Sequence, residues 1–140
     1  MGELPDEYFP PPYYETIGIE INDIDDGFAV GELTVDESVS ATTGEPLAHG
    51  GAVASLADAV GYWAASSAAG FAITPTIDLR IDYLQPATDD LRAEATVTRQ
   101  GDNVGSIDVD IEIDDRMIAT ARGVFKMDGD SDGSPWDPEM

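Results

Sequence analysis

From Pro46 to Ile77 the chain carries one formal charge, Asp58, across 32 residues, although 25% of all its residues are charged. Inside that window Val53, Leu56, Ala57, Val60 and Ala64 recur at helical spacing, and many positions between them are alanine, the best helix former. The spacing predicts one helix from Gly51 to about Ala69, with Gly70 as its stop. Its second face is hardly more polar than its first, so it is predicted to be buried nearly all round. Such a helix cannot lie on a surface; something must wrap it. A bilayer is a poor wrapper, because a carboxylate at its centre costs about 2.5–3.5 kcal/mol to insert. The acidic, Pro-rich start MGELPDEYFPPPYYE is unlike a signal peptide, so a cytoplasmic protein without a membrane partner is expected.

The wrapper is supplied by period-two segments. Ile17, Ile19 and Ile21 alternate with polar residues, Asp25-Asp26-Gly27 offers a turn, and Phe28 to Val35 resumes as a strand. After Pro75, three runs alternate apolar with charged or polar residues: Ile77 to Tyr83, Leu91 to Val97 and Ile107 to Ile113. A last strand spans roughly Met117 to Met127. The breaks at Pro86–Asp90, Gly101–Asn103 and Asp114–Asp115 are short enough for an antiparallel meander. The predicted class is therefore α+β: one long helix between a strand pair and a four-strand meander, five to six strands in all. The expected organisation is a Pro-rich irregular lead-in (1–15), a single domain (16–127) and an acidic tail (128–140). The tail's Asp128, Asp130 and Asp132 have the spacing of half a calcium loop but lack its downstream Glu and flanking helices, so no metal site is expected there. A curved sheet of this kind leaves edges exposed, and pairing with further copies is the usual remedy.

Charge and composition narrow the chemistry. Six Lys+Arg against 29 Asp+Glu give a net charge of −23, spread over nearly every strand and turn, with Lys126 the sole lysine. An acidic coat over an ordinary apolar core suits a high-salt cytoplasm, where screening is short-ranged and carboxylates keep the surface hydrated. No basic stripe exists to neutralise phosphates, which argues against nucleic acid as a partner. There is no cysteine, and His49 is the single histidine, so neither thiolate catalysis nor a Cys/His metal site is expected.

A carboxylate inside a buried helix costs several kcal/mol unless paired, hydrogen-bonded or protonated, which marks Asp58 as a candidate general base. His49-Gly50-Gly51 stands at the helix start, where two glycines expose backbone N–H groups at the positive end of the helix dipole. That arrangement suits a carbonyl that becomes an oxyanion. The run from His49 through Ala-Val-Ala-Ser-Leu-Ala to Asp58, then Thr74-Pro-Thr-Ile-Asp-Leu-Arg-Ile-Asp-Tyr-Leu-Gln-Pro86, resembles the hotdog thioesterases of the phenylacetate-pathway (PaaI-type) group. The likeness continues through Arg92–Gly101 and Ala119–Phe125, and so covers about Leu47 to Phe125.

The resemblance implies a hotdog fold and acyl-CoA hydrolysis, with coenzyme A as part of the substrate and no other cofactor. It casts Asp58 as general base or nucleophile, Gly50 as the oxyanion-hole N–H, Thr76 as holder of the attacking water and His49 as an orienting residue. It implies a site assembled across a dimer interface, so that a homodimer or a homotetramer (a dimer of dimers) is expected. Thr43 stands where relatives carry Asn or Gln, and Gly51, Thr43 and Arg99 are the candidate substrate contacts. Asp102 and Asn103 replace the basic residue that follows the Arg-x-Gly turn in many members; Arg80 and Arg122 are alternative phosphate contacts. Tyr62, Trp63, Phe71 and Tyr83 are candidates for an aryl pocket or, more simply, core aromatics. The competing readings are a hotdog enoyl- or hydroxyacyl-thioester hydratase and a non-catalytic acyl-CoA-binding module.

Overall fold

The computed structural model describes residues 10–129; the outer parts of the proline-rich lead-in and the acidic tail lie outside the described residues. A short helix α1 (Pro12–Ile17) precedes strands β1 (Ile19–Asp25) and β2 (Phe28–Leu33), the long helix α2 (Gly50–Ala68), and strands β3 (Thr76–Tyr83), β4 (Leu91–Gln100), β5 (Val104–Ile113) and β6 (Arg116–Lys126). All strand pairs are antiparallel and form one sheet in the order β1-β2-β4-β5-β6-β3. The sheet wraps α2, the hotdog arrangement. Bulges near Ile21/Asp23, Val97/Arg99 and Ile111/Glu112 bend it, since an extra residue on one strand adds local twist.

The helix is seated as its composition predicts. Leu56, Ala57, Val60 and Ala64 are fully buried against Ala93, Ala95, Ile107, Val109, Ile111 and Ala119 of the sheet's inner face. Small residues on both sides bring backbones close, and one large ring fills the gap they leave. Phe125 lies between Gly61 of α2 and Gly123 of its own strand; a Cβ at Gly123 would stand 2.5 Å from Phe125 Cε1, and one at Gly61 3.0 Å from Cζ. Gly123→Ala should therefore destabilise by about 1–3 kcal/mol, the usual effect of overpacking, read as a lower urea midpoint with unchanged slope.

Three expectations change. α2 is not buried all round: Ala54, Ser55, Asp58 and Tyr62 form a half-buried stripe where the wrap ends. The lead-in is not irregular to residue 15, because Pro12 sets the helical φ at the first position of α1 and Gly18, at φ 93°, ends it. The last four strands are not a meander. β3 pairs with β6 at the sheet's far edge, and residues 84–90 cross back to β4, which pairs with β2. That crossing is tied down along its length: Leu84 and Gln85 N–H donate to Ile118 O (2.8 and 3.1 Å), Ala48 N–H to Ala87 O (2.9 Å), and Val35 N–H to Asp90 Oδ1 (2.8 Å). By contrast, Asp114 and Asp115, at φ 47° and 66°, make the tight two-residue hairpin that their position suggests.

Candidate active site

α2 starts at Gly50 with His49 as its N-cap. His49 Nδ1 accepts from Gly51 N–H (2.8 Å), which leaves the ring's proton on Nε2 when neutral. The His49 backbone N–H donates to Val39 O (2.8 Å), and His49 O accepts from Ala52 N–H (2.9 Å) and Val53 N–H (3.2 Å). The donors of the first turn are thus spoken for, apart from Gly50 N–H, which as the first helical residue has no intrahelical acceptor. It sits at the positive helix end and, among the described residues, has no hydrogen-bond partner. Beside it opens a cleft of about 410 Å³, whose walls include Leu47, Val53, Tyr83, Leu84 and Ile118.

Asp58 lies two turns further on, in the half-buried stripe. Thr76, the first residue of β3, donates its hydroxyl to Asp58 Oδ1 at 2.5 Å. Helix and edge strand thereby place a carboxylate and a hydroxyl together, and among the described residues the second carboxylate oxygen has no hydrogen bond. Ser55, one turn earlier, serves the backbone instead: it donates to Gly51 O (2.9 Å) and accepts from Tyr13 (2.7 Å). Tyr14 is buried beside this stripe, where Trp63 Nε1–H donates to its hydroxyl (3.2 Å). Burial pushes the Tyr14 hydroxyl well above the ordinary tyrosine range, against the Trp63 hydrogen bond, and the nearby Asp58 charge adds to the shift. Tyr14 therefore stays a neutral hydroxyl at any working pH.

Among the expected site residues, the structure joins Asp58 to Thr76 and His49 to Gly51, with Gly50 between the latter pair. It does not join the two groups within one chain. At 1.5 Å rise per residue, Gly50 and Asp58 are about 12 Å apart along α2, too far to act on one carbonyl. Thr43 lies exposed in the loop before α2 with no hydrogen bond to Asp58. Arg99 is exposed at the β4 bulge and forms no salt bridge among the described residues. Arg80 and Arg122 face away from α2, pairing with Asp82 (3.8 Å) and Asp108 (3.1 Å). Of the four aromatics, Trp63 is core, Tyr62 stands edge-on to it (centroids 5.0 Å apart), Phe71 packs against the core, and Tyr83 lines the cleft. Sequence reasoning missed Tyr14, because nothing in a Pro-rich lead-in signals that one of its tyrosines reaches the helix.

A six-stranded antiparallel sheet around one long helix defines a hotdog protein, here with a capped glycine pair and a hydroxyl-bound carboxylate on that helix. The model of the thioesterase superfamily matches residues 46–120, the span that holds both halves of the site, and the chain belongs to that family. It is a thioesterase. Over 112 residues the chain is 35% identical to the acyl-coenzyme A thioesterase PaaI of Escherichia coli, covering 78% of this chain and 77% of that protein. A Halobacterium salinarum protein carrying an esterase name is 31% identical over 122 residues, covering 79% of this chain and 81% of its own. The solved structure of the E. coli PaaI protein superposes with a TM-score of 0.76 at 31% identity, covering 86% of this chain and 87% of that one.

Proposed function

We propose that this thioesterase hydrolyses acyl-CoA, with Asp58 as its general base and the Gly50 N–H of a second copy completing each site. The observation that carries the reading is the Thr76–Asp58 hydrogen bond, which holds a half-buried carboxylate beside a hydroxyl on an otherwise uncharged helix. Thr76 spends its proton on Asp58 and keeps lone pairs to accept from a water. Asp58 takes a proton from that water as its oxygen attacks the thioester carbon. Gly50 N–H receives the developing oxyanion. The tetrahedral species collapses, the C–S bond breaks, and the thiolate leaves with the proton held by Asp58, giving free acid and coenzyme A. His49 acts as an orienter, because its Nδ1 is committed to the helix cap.

The pairing of copies is supported by the roughly 12 Å that separate Asp58 from Gly50 in one chain. It is supported also by β3, whose outer edge is unpaired among the described residues and whose neighbourhood exposes Ile77, Tyr83 and Leu84. A homodimer is the smallest assembly this needs, and a homotetramer repeats it. The charge of −23 makes molar salt the natural working medium, since 1 M salt shortens screening to about 3 Å. The experiment is a panel of acyl-CoAs at molar KCl, with crotonyl-CoA hydration run alongside. Release of free thiol supports the reading. Hydration without thiol release would replace it with a hydratase, and tight binding without turnover with a binding module.

A further inference from the structure

We propose that Tyr83 is a positioning residue for Gly50, its hydroxyl holding the carbonyl on one side of the Gly50 Cα and so steadying the residue whose N–H lies on the other side. The inference rests on the role given to Gly50 above and adds a side chain that steadies that residue. Two successive glycines at the first positions of a helix are the loosest start a helix can have, because glycine loses the most backbone freedom on folding. A donor aimed at a transition state must nevertheless be fixed beforehand. Side chains supply the fixing.

Gly51 is held on both sides, its N–H by His49 Nδ1 (2.8 Å) and its carbonyl by Ser55 Oγ (2.9 Å). The peptide that carries the Gly50 N–H is held through His49 O, which accepts from Ala52 and Val53 N–H, and the next peptide is held by Tyr83, which donates its hydroxyl to Gly50 O at 2.7 Å. The same ring covers the glycine, with its Oη, Cζ and Cε1 at 3.4–3.7 Å from where a Cβ would stand. Tyr83 is 55% exposed in the single chain, so the core of its own chain does not hold its ring. It also lines the cleft that opens at Gly50. Tyr83 closes the strand that Thr76 opens, so β3 reaches α2 with one hydroxyl under Asp58 and another under Gly50.

The test is Tyr83→Phe, which keeps the ring and removes the bond. With the best acyl-CoA of the panel, kcat should fall about three- to tenfold, the worth of one hydrogen bond, with KM, melting temperature and oligomeric state unchanged. A second readout uses the non-hydrolysable ketone analogue, in which CH₂ replaces the thioester sulfur. Its carbonyl stretch should lie at lower frequency when bound to the wild type than in buffer, and should move back towards the buffer value in Tyr83→Phe. Unchanged kcat and an unchanged stretch would overturn the proposal. So would a fall in kcat that merely follows a fall in melting temperature while the stretch stays put. A wild type that shifts the carbonyl through Tyr83 but releases no thiol would sink the hydrolytic reading and leave Tyr83 standing. A wild type that leaves the carbonyl unshifted would end both.

Discussion

Asp58→Asn should cut acyl-CoA turnover by about 10²–10⁴-fold, the range attributed to a positioned general base, while the protein stays folded. Asparagine has nearly the same shape as aspartate, and its Oδ1 still accepts from Thr76, so the contact that seats the side chain survives. What disappears is the ability to take a proton. The substitution also removes a negative charge from a half-buried position in a chain of net charge −23, so the melting temperature should match or slightly exceed that of the wild type. Steady-state thiol release at molar KCl, with KM measured separately, checks the prediction. Loss in kcat at constant KM is the expected signature of an interaction made in the transition state. Turnover within a few-fold of wild type would remove Asp58 from the mechanism.

Asp58 also shows how far sequence reasoning reaches. Its isolation in an uncharged window was visible as pattern, because helical and strand periods report which face is covered. What pattern could not convey was the depth of cover. The alanines on either side of Asp58 read as core, yet the stripe through Ser55, Asp58 and Tyr62 is only half-buried. Burial there depends on where the sheet stops curving, a property of the bulges and not of α2. The same limit explains β3. Alternation located the strand, but its partner is β6 and not the next strand in sequence, because pairing across a crossing connection is settled by long-range packing. Thr76 and Tyr83 inherit that blindness. Thr76 came into view through resemblance to known thioesterases, and the hydroxyl contact of Tyr83 with Gly50, 33 residues away in the chain, had no sequence signal at all.

Gly50→Pro tests the other half of the site, and mixing it with Asp58→Asn tests how the halves combine. Proline at the first helical position deletes one N–H and little else, because that N–H has no helical acceptor and the ring's fixed φ suits the helix start. His49, at φ −59° and ψ 140°, already has the extended conformation that a residue before proline adopts. The added Cβ meets Tyr83 at 3.4–3.7 Å, close to ordinary contact. The variant should therefore fold and lose about 10²–10³-fold in kcat, the usual effect of removing one oxyanion donor. Each variant alone is crippled in every site. If Asp58 and Gly50 of one site come from different chains, a mixed dimer has one site with both defects and one with neither. Random assembly of equal amounts, by co-expression or by unfolding and refolding together, should then restore about a quarter of wild-type turnover. If both groups served the same site from one chain, every site in the mixture would lack one of them and no activity would return. The spacing along α2 favours the first outcome: the carboxylate and the glycine N–H stand about 12 Å apart on one rigid helix, and no rotation of either side brings them to a single carbonyl.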